Sequence, residues 1–163
     1  FKFDEANVMN ELVYRNLSED AKRQICAWKY GGEYDLYNLP SYEEMQVRQI
    51  GFMNPQRKKN YYGFWDESIL VGFVNILEEK EEVFIGIGVN PDLCNKHYGQ
   101  RMLLITYEIS KKLYPNKPLY LEVRTWNIRA VKCYQKAGFR IDGQAYELTT
   151  GIGTGTFYRM IRE

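Results

Sequence analysis

The stretch DLCNKHYGQRM, residues 92–102, stands between an apolar run ending at Val89 and a run of helical period beginning near Tyr98. A strand that turns at Pro91 and feeds a helix points free backbone N–H groups, and the positive end of the helix dipole, at one spot. The chemistry this suits is binding of a phosphate. Glycine usually supplies the positive φ such a loop needs, yet Gly99 is the only glycine here. Asn95 and His97 are of types that accept left-handed backbone, where the strain for a non-glycine is about 1–2 kcal/mol. Lys96 and Arg101 add cationic reach. An ordinary strand-to-helix turn is the competing reading.

A carboxylate in an apolar strand is the second candidate. In LYLEV, residues 119–123, alternation puts Leu119, Leu121 and Val123 on one face and Tyr120 and Glu122 on the other. Burying a charge is costly unless it is paired or used. Glu122 is therefore either a general base or the partner of Arg124, which shares its face. Glu78 and Glu79, at the end of an earlier strand, read as exposed turn residues. Cys94, three residues before His97, invites a thiol nucleophile whose pKa a helix N-terminus would lower, but nothing nearby in the pattern would orient the pair. With one histidine and three cysteines lacking ligand spacing, no metal site is expected.

These residues need elements to hold them. ELVYR (11–15) suits a short strand, and Ser18 before EDA starts a helix near 19–29 with Ala21, Ile25 and Trp28 inward. Residues 30–40 break it with two glycines and a proline. Ser41 opens a second short helix to about Ile50, and a loop carrying the basic run Arg57–Lys59 follows. YYGFW, ILVGFVNIL and VFIGIGV then read as antiparallel strands joined by polar turns. The third is apolar throughout, as expected of a strand covered on both faces. From there Met102, Ile105, Ile109 and Leu113 form a helical stripe stopped by Pro115. After the strand 119–123 a helix carries Ala130, Cys133, Tyr134 and Ala137 on one side, with Gly138 as its left-handed stop. Strands near 139–147 and 155–161 end the chain. The order predicts an α+β structure: a mixed, mostly antiparallel central sheet with one parallel crossover pair, flanked by helices. Residues 1–10 are set aside as a lead-in or cloning remnant, leaving 11–163 as one domain.

Composition narrows the partners. Twenty-two basic against 21 acidic residues give a formal charge of +1, so no global field recruits nucleic acid or an anionic membrane. The longest apolar stretch, 69–77, is too short to span a bilayer. The odd cysteine count and the lack of a signal pattern fit a cytoplasmic protein.

LEVRTWNIRAVKCYQKAGF (121–139) together with GVNPDLCNKHYGQRML (88–103) resembles the GNAT superfamily of N-acetyltransferases. The family's loop pattern is roughly Gln/Arg-x-x-Gly-x-Gly/Ala, and Cys94, His97 and Gly99 stand at those positions. Asn127, Ala130, Tyr134 and the AGF of 137–139 keep the family's spacing, and the span from Glu122 to Tyr134 looks like that of the enzymes that acetylate the N-terminal alanine of a ribosomal protein. The resemblance implies the acyl-CoA N-acyltransferase fold and acetyl-CoA as co-substrate, without a metal. It implies that the pantetheine arm bonds the main chain at Ile87, Gly88 and Val89. The pyrophosphate would meet the N–H groups of Asn95, Lys96, His97, Tyr98, Gly99, Gln100 and Arg101. Asn127 would hold the arm from the other side, Tyr134 would protonate the leaving thiolate, and Glu122 stays open as base or ion-pair partner. The acceptor is expected to be a small-molecule or peptide primary amine; apart from the resemblance, composition and position make Trp28, Tyr30, Tyr34 and Tyr37 the candidates to shape its pocket. The competing function is a non-catalytic module that binds a CoA thioester or a partner. A homodimer through the last strand is open.

Overall fold

The computed structural model describes residues 11–163; the expectation for 1–10 lies outside them. Among the described residues there are four α-helices, α1 (Glu19–Ala27), α2 (Tyr42–Arg48), α3 (Tyr98–Leu113) and α4 (Ile128–Lys136). The strands are β1 (Val13–Asn16), β2 (Tyr61–Asp66), β3 (Ile69–Glu78), β4 (Val83–Val89), β5 (Leu119–Arg124), β6 (Arg140–Ile141), β7 (Tyr146–Thr150) and β8 (Gly153–Arg162). They form one sheet in the order β1-β2-β3-β4-β5-β8-β6, with β7 also on β8. β4 and β5 run parallel, whereas β1 pairs β2, and β8 pairs β5, β6 and β7, in antiparallel fashion. The α+β sheet with one parallel pair is as expected.

The chain divides into two compact units: residues up to Phe73 with Gly88–Cys94, and Val74–Ile87 with Asn95–Glu163. In the first, the Ser18 hydroxyl accepts from Ala21 N–H at 3.1 Å, and Glu19 and Asp20 stand in the first turn of α1, where the dipole favours them. Ser41 caps α2 in the same way. Ala21, Ile25, Cys26, Met45, Phe52 and Leu70 build the core of this unit. α1 stops two residues earlier than expected, because Trp28 turns extended at φ −62°, ψ 136°. Its ring packs against Phe73, with centroids 6.3 Å apart. Within the expected loop, Gly32–Tyr37 winds into a short 3-10 turn.

In the second unit three expectations are corrected. The buried side of α3 comprises Gly99, Met102, Leu103, Thr106, Ile109 and Ser110, while Leu113 is half exposed. Two hydroxyl side chains sit on the inner stripe, so hydropathy alone misplaces it. β4 is apolar without being covered on both faces: only Val83 and Ile85 are fully buried. The single strand expected over 139–147 is two, because Asp142 N–H turns to the Arg159 carbonyl and Gly143 takes φ 78°. Gly138 does stop α4, at φ 96°.

Candidate active site

The parallel pair is short. β4 and β5 are in register at Val83↔Leu119 and Phe84↔Tyr120 only, although β4 runs on to Val89 and β5 to Arg124. Past those two rungs the strands part, and β5 keeps its pairing with β8 as far as Arg124↔Phe157. Backbone N–H and C=O groups inside a sheet need partners. The opening beside Ile85–Ile87 is therefore shaped for an extended ligand that bonds main chain, as an added strand would.

β4 leads into the loop singled out above. In the first unit Asn90 fixes the turn: its N–H reaches the Val71 carbonyl, its Nδ2 the Leu70 carbonyl, and its Oδ1 accepts from Asp92 N–H at 3.0 Å. In the second unit Asn95 (φ 65°) and His97 (φ 66°) are both left-handed, which is the backbone that glycines would otherwise supply. His97 precedes α3 as its cap residue and makes no side-chain cap bond. The first helical bond runs from Arg101 N–H to the His97 carbonyl, so the earlier amides of the turn, from Tyr98 to Gln100, have no intrahelical acceptor. Arg101 Nη2 is buried without a hydrogen-bond partner. A helix start preceded by two left-handed residues, in a helix that also carries a buried guanidinium nitrogen with no hydrogen-bond partner, fits a pyrophosphate.

The face of β5 that carries Tyr120, Glu122 and Arg124 meets Ile161, Arg159 and Phe157 of β8 across the register. Glu122 Oε2 accepts from the Tyr146 hydroxyl at 2.6 Å. Burial, and then this bond, pushes the Tyr146 phenol well above its ordinary range. Tyr120 donates to Glu79 at 2.8 Å and is raised by burial and by that carboxylate. Arg159 is held by both Glu82 and Asp142. The ion pair open to Glu122 is not formed: among the described residues Glu122 bonds Tyr146, and the Arg124 guanidinium lies over the Phe157 ring. Glu79 is also not the exposed turn residue expected, whereas Glu78 is exposed and paired with Lys117.

β5 leads directly into α4. Asn127 is buried and caps that helix, its Oδ1 accepting from Ala130 N–H at 3.2 Å. Tyr134 lies half-buried two turns on. The stretch that holds this parted parallel pair, the start of α3 and the capped β–α segment lies within residues 14–139, which match a model of the acetyltransferase (GNAT) family. The chain belongs to the GNAT acetyltransferase family.

GNAT structures share its fold. A spermidine N-acetyltransferase chimera of Vibrio cholerae SpeG and hSSAT aligns with TM-score 0.74 at 19% identity, over 94% of this chain and 95% of that one. AAC(6')-Ib in complex with ribostamycin and coenzyme A gives 0.72 at 16%, over 94% and 93%. The ribosomal-protein-S18-alanine N-acetyltransferase of Escherichia coli gives 0.64 at 18%, over 93% of each chain. No curated protein sequence matches significantly.

The expected GNAT site residues fall in both units. The second holds Ile87, Asn95–Arg101, Glu122, Asn127 and Tyr134; the first holds Gly88, Val89 and the four aromatics. A Cβ on Gly88 would collide with the Phe73 ring, so the β4 backbone stays bare there. Tyr30 donates to the Val89 carbonyl at 2.6 Å, so its hydroxyl already has a structural task, and Trp28 belongs to the packing around Phe73. Tyr34 and Tyr37 are half-exposed on the 3-10 turn. The Cys94 thiol lies 3.7 Å from the Asn90 carbonyl. Among the described residues no group of three or more His, Cys, Asp or Glu could hold a metal, and no helix is long and apolar enough to cross a membrane. Tyr146 and Arg159 had escaped the sequence reading, because both meet their partners only through β8 and its hairpin.

Proposed function

We propose that this GNAT protein is an acetyl-CoA-dependent N-acetyltransferase acting on a primary amine, with Glu122 as base and Tyr134 as acid. The observation that carries the reading is the pair of strands parting after Phe84↔Tyr120, followed along β4 by a helix start with left-handed Asn95 and His97. Ile87, Gly88 and Val89 would hold the pantetheine arm by main-chain bonds. The amides of residues 95–101 and the Arg101 guanidinium would hold the pyrophosphate. Asn127, already the cap of α4, would add its amide from β5's side.

Acetyl-CoA supplies an activated acetyl thioester, and the chain's own groups handle protons and charge. An amine of the lysine type, with pKa near 10.4, is neutral in fewer than about one molecule in a thousand at pH 7. Glu122 takes the ammonium proton, its carboxylate oriented by the Tyr146 hydroxyl. A main-chain N–H of β4 faces the oxygen on which negative charge grows. Tyr134 gives its proton to the departing sulfur and is reprotonated by the second proton that the nitrogen sheds as the amide forms; because a thiol has pKa near 8.5, that help is modest. The amine nitrogen gains the acetyl group, the thioester C–S bond breaks, and no covalent enzyme intermediate is needed.

Calorimetry with acetyl-CoA, followed by thiol release from a panel of amines, tests the reading. Micromolar binding, with kcat/KM lowered about 10²- to 10⁴-fold by Glu122→Gln and about tenfold by Tyr134→Phe, is the expected result. Binding without turnover of any amine would leave a coenzyme-binding module instead. Absence of binding near millimolar would remove the coenzyme from the proposal.

A further inference from the structure

Arg124 ends β5 and is 9% exposed. Its guanidinium lies 4.8 Å from the centroid of the Phe157 ring. A Cβ at residue 155 would collide with Arg124 Nη1, so Gly155 leaves the space that the guanidinium fills. The position is thus built around this side chain by two β8 residues. No carboxylate completes it: among the described residues, the ion pairs of the molecule do not include Arg124. Arg159, on the same face of β8, shows the contrast, since Glu82 and Asp142 both hold it. A buried cation lacking a counter-charge is costly to keep, and a planar guanidinium is the group best matched to a carboxylate.

Glu122 shares the β5 face with Arg124 and is bonded by Tyr146 rather than by Arg124. Two residues along a strand are about 6.6 Å apart. The face therefore presents a carboxylate and a guanidinium, not paired with each other, on residues whose Cα atoms are spaced by roughly the length of a short extended chain. We propose that Arg124 binds a carboxylate carried by the acceptor, whose amine lies at Glu122, so that the substrates are amino acids with the two groups about six bonds apart. The bond count follows from an extended chain's span of about 3.3 Å per three bonds. The inference rests on the acetyl-transfer reading and adds the acceptor class to it.

The test compares kcat/KM for 6-aminohexanoate, hexylamine and glycine by thiol release from acetyl-CoA. The wild type should favour 6-aminohexanoate by about tenfold or more over both. Arg124→Gln should bring the ratio of 6-aminohexanoate to hexylamine near one, and Arg124→Lys should restore part of it. A wild-type ratio near one overturns the proposal, as does a ratio unchanged in Arg124→Gln. So does an Arg124→Gln protein whose main defect is weakened acetyl-CoA binding by calorimetry, which would assign the guanidinium to the coenzyme. A second readout needs no turnover and no variant: 6-aminohexanoate should raise the melting temperature of the wild-type protein with coenzyme A present, and hexylamine at equal concentration should not. Equal shifts sink the proposal. If neither amine is acetylated yet the acid alone stabilises, the transfer reading fails and the Arg124 site stands.

Discussion

The Tyr30 hydroxyl donates to the Val89 carbonyl at 2.6 Å, fastening the aromatic segment after α1 to the last residue of β4. The same segment is closed on itself by Tyr30 N–H bonding to Asn38 Oδ1 at 2.6 Å. One phenol oxygen thus joins parts of the chain 59 residues apart. Tyr30→Phe keeps the ring and removes the bond, so the protein should lose about 1 kcal/mol in urea unfolding. An unchanged midpoint and slope would show that the contact contributes nothing.

His97 holds φ 66° and ψ 9° at the start of α3. Substitution by a β-branched residue forces a far poorer left-handed conformer. His97→Val should therefore cost about 1–2 kcal/mol, while His97→Gly should be at least as stable as the wild type. Thermal unfolding of the two variants side by side checks the order. The reverse ranking would mean that the imidazole, not the backbone, stabilises the turn.

Gly88 faces the Phe73 ring, and a methyl group there has no room. Gly88→Ala must displace an aromatic ring that also packs on Trp28, Phe52 and Tyr61. A loss of about 1–3 kcal/mol is expected from overpacking, together with weaker acetyl-CoA binding in the proposed function. A variant with full stability and full affinity would show that the ring simply moves aside.

Alkaline pH should weaken the fold through Tyr120 and Tyr146. Burial comes first for both, followed by a hydrogen bond to Glu79 or Glu122, and each phenol's pKa is raised. An unfolded tyrosine titrates near 10, so the folded chain keeps these protons more tightly than the unfolded one. The stabilisation is complete below about pH 10 and is lost as pH rises above it. Urea midpoints at about pH 9 and about pH 11 should differ less for Tyr146→Phe than for the wild type. Equal losses would show that Tyr146 titrates as it does in the unfolded chain.

Much of this was legible in the sequence, for physical reasons. The serine caps at 18 and 41, the Asn127 start and the Gly138 stop each act on neighbouring backbone, and all four are where local chemistry put them. The left-handed loop was legible too, since Asn95 and His97 are types that tolerate positive φ. What escaped was decided by distant pairing. Thr106 and Ser110 are buried in α3 despite their hydroxyls, and an apolar β4 is left half open by the departure of β5. The partner of Glu122 lies 24 residues away, and the guanidinium two positions along turned instead to an aromatic ring on β8. Alternation places side chains on a face; it does not say which of them meet.

A sheet normally has its edges at its margins, where charge and short strands guard them against adhesion to other chains. The departure of β5 from β4 creates such an edge in the interior, between two strands that are neighbours in the order β3-β4-β5-β8. Any extended molecule that fits there joins the sheet, and its binding free energy adds to that of folding. In the proposed function, a cell depleted of the coenzyme would then shorten this protein's lifetime as well as silence it.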